Sequence, residues 1–357
     1  MKKGKILIFL LLALGILFII AGCRSGDNAA ISFSPPPIRI PDTELENTVR
    51  DKIDKHEGDI FPEDVEDIRS LSARGEGINS VKGLEHFESL TTLDLGRDDS
   101  TEWKNEIKDL SYLEDLTNMK TLVLSYNEIE DISPLQKMTE LEFLNLEGNN
   151  IRKISALEEM DIPVMLLSDN QITDLTPLEN MAQPRVIELS GNSIFNIPAL
   201  EDKPYLERLS LNSNKIKNIS YLSDLPRLKH LQLGRNKIED ISSLESLTEL
   251  EQLIISYNNI RDISALEELN RLEVLSLGSN EIRNISGLSG LNSLESLGLD
   301  NNRITDISPL VENEGLDDGD TIFIRENGLD LDSGSEDMEN IKILKDRGVN
   351  LNYEPQR

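Results

Sequence analysis

Between residues 65 and 312 the apolar positions recur in one fixed order about every twenty-two residues. Aligned on its asparagines, one unit reads Leu116, Met119, Leu122, Leu124, Asn127, Ile129, Ile132, Leu135. The next reads Met138, Leu141, Leu144, Leu146, Asn149, Ile151, Ile154, Leu157. Later asparagines fall at Asn170, Asn192, Asn214, Asn236, Asn258, Asn280 and Asn302, with one unit of twenty-one residues among units of twenty-two. Each unit holds a short alternating segment such as Leu122, Val123, Leu124, whose period of two predicts a strand, followed by spaced isoleucines and a Ser-Pro or Ser-Ala turn. A unit this short cannot enclose its own apolar side. Stacking on neighbours lines the strands up in parallel and merges the aliphatic positions into one core, so the pattern predicts a repeat solenoid. The repeated asparagine fits that design, since a buried amide can satisfy backbone groups that a bend leaves unpaired.

The repeat resembles the leucine-rich repeat proteins, specifically the bacterial internalin-like class with twenty-two-residue units. That resemblance implies a horseshoe of about eleven repeats, with short parallel strands on the concave face and 3₁₀ or extended turns on the convex face. It also implies small helical caps. Residues 42–64 suit the first: Asp42 is placed as an N-cap, Leu45, Val49 and Ile53 share one helical face, and Pro62 opens a second short helix. Residues 313–357 suit the second, with a helix over 335–347 and a last extended segment over 348–353.

The two flanks of the repeat differ in kind. Lys2, Lys3 and Lys5 precede an apolar run over 6–21, the shape of a secretory signal occupying residues 1–22. Its end, Ile20, Ala21, Gly22 and Cys23, resembles the lipobox of bacterial lipoproteins, which implies cleavage before Cys23 and lipid on that cysteine. Cys23 is the sole cysteine, so an intramolecular disulfide is excluded. Small, polar and proline residues over 24–41, including Pro35, Pro36 and Pro37, predict a flexible tether. The expected address is the outer face of the cell membrane, held by lipid.

Charge narrows the partners. The chain carries a net charge of −30, and without the signal thirty-three basic side chains face sixty-six acidic ones. Nucleic acid is excluded as a partner class, and anionic lipid would repel the same surface. Asp131, Asp174, Asp240, Asp262 and Asp306 sit in Asp-Ile-Ser or Asp-Leu-Thr contexts where turn capping accounts for them. They lack the spacing of an EF-hand calcium loop. His56, His86 and His230 are the only histidines and show no zinc spacing. Gly75 and Gly77 lie in a turn and form no phosphate loop, and no Gly-x-Ser-x-Gly elbow is present. No catalytic residue, metal site or cofactor is expected, and the chain is read as a binding scaffold, not an enzyme.

Binding residues are then sought where the repeat leaves identity free. Strand positions alternate, so those between core leucines face outward. They place Phe143, Val164, Leu166 and Val186 on three adjacent strands as an apolar patch. Tyr126 and Glu147 are expected at its rim, and Arg208, His230 and Arg235 give the next stretch a basic character. A second candidate is Trp103, the only tryptophan, in an insertion of seven residues between Leu95 and Asn105. The expected role is protein binding through the concave face by a monomer, as an adhesin or envelope receptor. Alternatives are an envelope scaffold, a regulator of a secreted enzyme, and a passive stalk.

Overall fold

The computed structural model describes residues 35–97, 104–197 and 200–357. The apolar run over 6–21, Cys23, the tether as far as residue 34, and Trp103 lie outside the described residues. The body of the protein runs from Pro37 to Arg357.

It begins with α1 (Thr43–Ile53) and α2 (Pro62–Val65). Asp42 starts α1 by accepting the Leu45 N–H at 3.1 Å, and Leu45 and Val49 bury the face toward the repeats. The second carboxylate oxygen of Asp42 accepts the N–H groups of Asn79 and Ser80, at 2.8 and 3.2 Å. One side chain therefore caps the helix and ties it to the first repeat. Residues 37–41, expected in the tether, belong to this cap instead. The Ile38 N–H donates to the Ile60 carbonyl at 2.7 Å, and Ile38 and Ile40 are buried. The physical reason is the apolar pair itself, which gains more from burial than a tether gains from freedom.

Each repeat contributes one three-residue strand: β1 (Ser70–Ser72), β2 (Thr92–Asp94), β3 (Thr121–Val123), β4 (Phe143–Asn145), β5 (Val164–Leu166), β6 (Val186–Glu188) and β7 (Arg208–Ser210). The series continues with β8 (His230–Gln232), β9 (Gln252–Ile254), β10 (Val274–Ser276) and β11 (Ser296–Gly298). Past the short helix α3 (Ser308–Glu312) come β12 (Thr321–Phe323), then α4 (Glu336–Asp346) and β13 (Asn350–Asn352). All thirteen described strands form one open parallel sheet in chain order. The register matches repeat to repeat, with Leu122 beside Leu144, Leu144 beside Met165, and Met165 beside Ile187. Their side chains point into one continuous aliphatic core.

Across the core, single 3₁₀ turns such as Ser133–Lys137, Ser155–Leu157 and Ser264–Leu266 bring the chain back. The repeated aspartates start them. Asp131, Asp174, Asp240, Asp262 and Asp306 each accept the N–H two residues on, at 2.8–2.9 Å. For Asp240 and Asp262 these hydrogen bonds hold the carboxyl below its ordinary range, and for Asp174 the Thr176 hydroxyl, donating at 2.6 Å, does so together with the same N–H. Capping thus accounts for much of the convex acid.

The asparagines form a ladder. Asn236 accepts the Ile216 N–H at 3.0 Å and donates to the carbonyls of Leu211 and Leu233, at 2.9 and 3.0 Å. The pattern repeats from Asn105 to Asn327. Asn327 lies in the segment expected to be a cap, where β12 and Asn327 extend the repeat by a further unit. Gln356 closes the last rung, donating to the Ile324 carbonyl at 2.9 Å and accepting the Asn327 N–H at 3.0 Å.

Two features depart from the apolar logic. Lys203 occupies the core position that Met181 and Leu225 hold in flanking repeats and is almost fully buried. Its ammonium donates to the backbone carbonyls of Glu179 and Glu201, at 2.8 and 3.3 Å, and burial pushes its pKa down. The other is a column of left-handed residues immediately before the ladder asparagines. Tyr126, Asp169, Ser213, Arg235, Tyr257, Ser279, Asn301 and Glu326 have φ between 54 and 59°, with Gly148 and Gly191 completing the column at 69°.

Candidate binding face

The alternation that buries Leu122 or Leu144 turns its neighbours outward, and strand register then decides which of those outward residues meet. Phe143 pairs with Val164, Val164 with Val186, Val186 with Arg208, and Arg208 with His230. On the parallel row Asn145 pairs with Leu166 and Leu166 with Glu188. The structure therefore brings Phe143, Val164, Leu166 and Val186 together as one apolar floor across β4 to β6. Each of the four is half-buried by its neighbours, so the floor is a lined surface and not a set of protruding side chains.

Arg208 and His230 continue the Phe143 row directly. Arg235 does not join them. It belongs to the left-handed column at the sheet's edge, where its guanidinium lies 4.3 Å from the centre of the Tyr257 ring. The expected basic group therefore divides into an adjacent pair on the floor and one cation on the rim. His230 Nδ1 is shielded from solvent and has no hydrogen-bond partner among the described residues.

Tyr126 and Glu147 also lie at the rim, and they are bonded to each other: the phenol donates to the Glu147 carboxylate at 2.7 Å. That hydrogen bond, with burial and the negative charge of Glu147, pushes the Tyr126 phenol up to about 12. The Arg97 guanidinium stacks 5.2 Å from the same ring. Gly148 makes the arrangement possible, because a Cβ there would stand 2.5 Å from Cδ1 of Tyr126. No hydrophobic period marks Gly148 in the sequence. The close approach emerges only when the two units are stacked.

Sequence reasoning missed several exposed apolar residues. Tyr257 is 53 % exposed on the rim, and Phe323 is exposed on β12. Phe195, 63 % exposed, sits on the return side of its repeat, where the corresponding residues of other units include Glu130, Arg152 and Lys217. Comparing that one position along the array picks out Phe195; the period itself is silent about it. Among the described residues no group of three or more His, Cys, Asp or Glu is placed to hold a metal ion.

Comparison with known proteins agrees with this geometry. The family described as leucine-rich repeats (2 copies) matches residues 117–159, 206–246, 226–268, 248–290 and 270–312. A search of curated proteins finds no match. Among solved structures, the internalin InlF of Listeria monocytogenes superposes with a TM-score of 0.81 at 30 % identity, covering 91 % of this chain and 94 % of that one. A leucine-rich repeat protein of Leptospira interrogans gives a TM-score of 0.60 at 18 % identity over 80 % of this chain and 84 % of its own. The ectodomain of a plant membrane receptor kinase from Arabidopsis thaliana, in complex with Casparian strip integrity factor 2, gives 0.63 at 22 % identity over 77 % of this chain and 34 % of its own. The last two share the fold. The first shares nearly a third of its residues along almost its whole length, and the chain belongs to the internalin-like family of bacterial leucine-rich repeat proteins.

Proposed function

We propose that this chain is a protein-binding scaffold of the cell envelope, held on the outer face of the membrane by lipid at Cys23 and engaging its partner through the concave face. The observation that carries the binding half is the registered row of Phe143, Val164 and Val186 with Leu166 beside it. These positions are free of the core and of the ladder, so their apolar character serves neither. The related fold in Arabidopsis thaliana was crystallised in complex with Casparian strip integrity factor 2, which supports a binding use of the architecture here. The anchoring half rests on the lysines, the apolar run and the Ile20 to Cys23 sequence.

Leu166→Glu and Phe143→Glu are expected to abolish cross-linking to the partner in intact cells while leaving the unfolding midpoint unchanged. Retained cross-linking in both would refute the concave face as the site. Cys23→Ser is expected to release the protein from the membrane fraction, and unchanged fractionation and processing would refute lipidation there.

A further inference from the structure

The apolar floor is continuous with a cation that nothing among the described residues neutralises, and this juxtaposition specifies the partner more closely. Lys229, just before the neighbouring β8, bonds to Glu251 at 2.7 Å, and farther along the sheet Lys120, just before β3, bonds to Glu142 at 2.8 Å. The Arg208 guanidinium makes no ion pair or hydrogen bond among the described residues, although the chain carries thirty more negative than positive charges. It is exposed, directly beside Val186 on one side and His230 on the other. A planar guanidinium at the end of an apolar surface suits a carboxylate approaching along that surface.

We infer that the concave face recognises an extended protein segment with apolar side chains at one end and acidic side chains at the other. The apolar end lies on Phe143, Val164 and Leu166 and the acidic end on Arg208 and His230. The segment crosses the strands from β4 to β8, four inter-strand steps or about 19 Å. An extended chain covers that distance in about six residues. The inference rests on the concave-face reading above and adds the charge and span of what binds there.

The test is an array of hexapeptides with Leu-Phe at one end and Asp-Glu at the other, in both chain directions. Control sets carry Lys-Arg for the acidic pair or Ser-Ser for the apolar pair. Full-length wild type, Arg208→Glu and Leu166→Glu are compared, with unfolding midpoints confirming that each variant is folded. Wild type is expected to retain an apolar–acidic set in at least one direction. Arg208→Glu is expected to weaken that binding about tenfold or more, the loss of one charge-assisted contact, and to shift preference to the basic set. Leu166→Glu is expected to lose both.

Wild-type binding that is indifferent to peptide charge, absent for every apolar–acidic set, or unchanged by Arg208→Glu overturns the inference. In that event, partner cross-linking lost in Leu166→Glu but kept in Arg208→Glu leaves the concave face standing as the binding surface. Cross-linking kept in both removes the surface as well. Heparin serves as a polyanion without apolar side chains, and tighter retention of heparin than of any peptide also overturns the inference.

Discussion

Replacing Asn236 by alanine tests the internal bonding of the array, because the ladder distributes its hydrogen bonds unequally. The Leu211 carbonyl accepts from Asn214 as well as from Asn236, at 3.1 and 2.9 Å. The Leu233 carbonyl likewise accepts from Asn258 and Asn236, both at 3.0 Å. Each keeps a partner when Asn236 is lost. The Ile216 N–H does not, since Asn236 is its acceptor. The Gly234 carbonyl, which also accepts from Asn236 at 3.3 Å, keeps the Ser213 N–H. An orphaned buried N–H costs about 1–3 kcal/mol and the three weakened carbonyls add about 1 kcal/mol among them, giving roughly 2–4 kcal/mol in all.

Urea unfolding followed by far-ultraviolet circular dichroism measures that loss. Because each repeat contacts only its neighbours, a defect in mid-array is expected to broaden the transition as the two halves begin to unfold separately. Asn236→Asp provides the complementary case. It keeps the acceptor for Ile216 but turns a carboxylate oxygen toward these carbonyls, so at neutral pH it should cost at least as much as alanine. Below its raised carboxyl pKa the acid form can donate again, and stability should partly return. A loss under about 0.5 kcal/mol for Asn236→Ala would refute the assignment of the N–H penalty to this rung.

Further expectations concern the irregular positions. Lys203→Met should stabilise the fold by about 1–3 kcal/mol in urea, because it removes a buried cation in favour of the residue type found one unit earlier. With the folded pKa of Lys203 depressed by burial, wild-type stability should rise with pH as the ordinary lysine range is approached, and a flat profile matching Lys203→Met would contradict this. The Tyr126 phenol should ionise near pH 12 by its absorbance at about 295 nm, assigned by difference against Tyr126→Phe, and Glu147→Gln should bring it down toward the usual tyrosine value. Its folded pKa is raised, so the stability from this hydrogen bond is complete below the ordinary tyrosine pKa and lost as pH rises through about 12. Gly148→Ala should also lower the Tyr126 pKa by displacing the ring, besides costing about 1 kcal/mol for a left-handed alanine; an unshifted titration would show that the ring tolerates the methyl group.

Much of the scaffold was legible because period and burial are the same information here. A residue that recurs between two leucines of a strand has a fixed facing, so Phe143, Val164 and Val186 could be placed side by side from spacing alone. The ladder asparagines were legible for the same reason. What escaped the period was whatever depends on contact between units. Ile38 and Ile40 make an alternation too short to stand out from a proline-rich tether. The β12 unit was hidden because Asn327 follows Asn302 by twenty-five residues instead of twenty-two. Lys203 violates the apolar rule at one position and is tolerated because two carbonyls happen to face it. Arg235 was grouped with Arg208 and His230 by proximity in sequence, whereas a left-handed turn carries it to another row.

That turn has a consequence for how the molecule can change. L-residues pay about 1–2 kcal/mol for a left-handed backbone, and most of this column is not glycine. Among unbranched side chains other than glycine, asparagine and aspartate the strain varies little, so exchanging tyrosine for arginine or serine for glutamate there leaves the backbone cost nearly unaltered. Positions with equal cost are those where drift and selection can act on surface chemistry without first being filtered by folding. The non-glycine members of the column from Tyr126 to Glu326 are thus a second register of variability beside the strand rows, one in which a lineage can alter what the protein touches at little change in backbone cost.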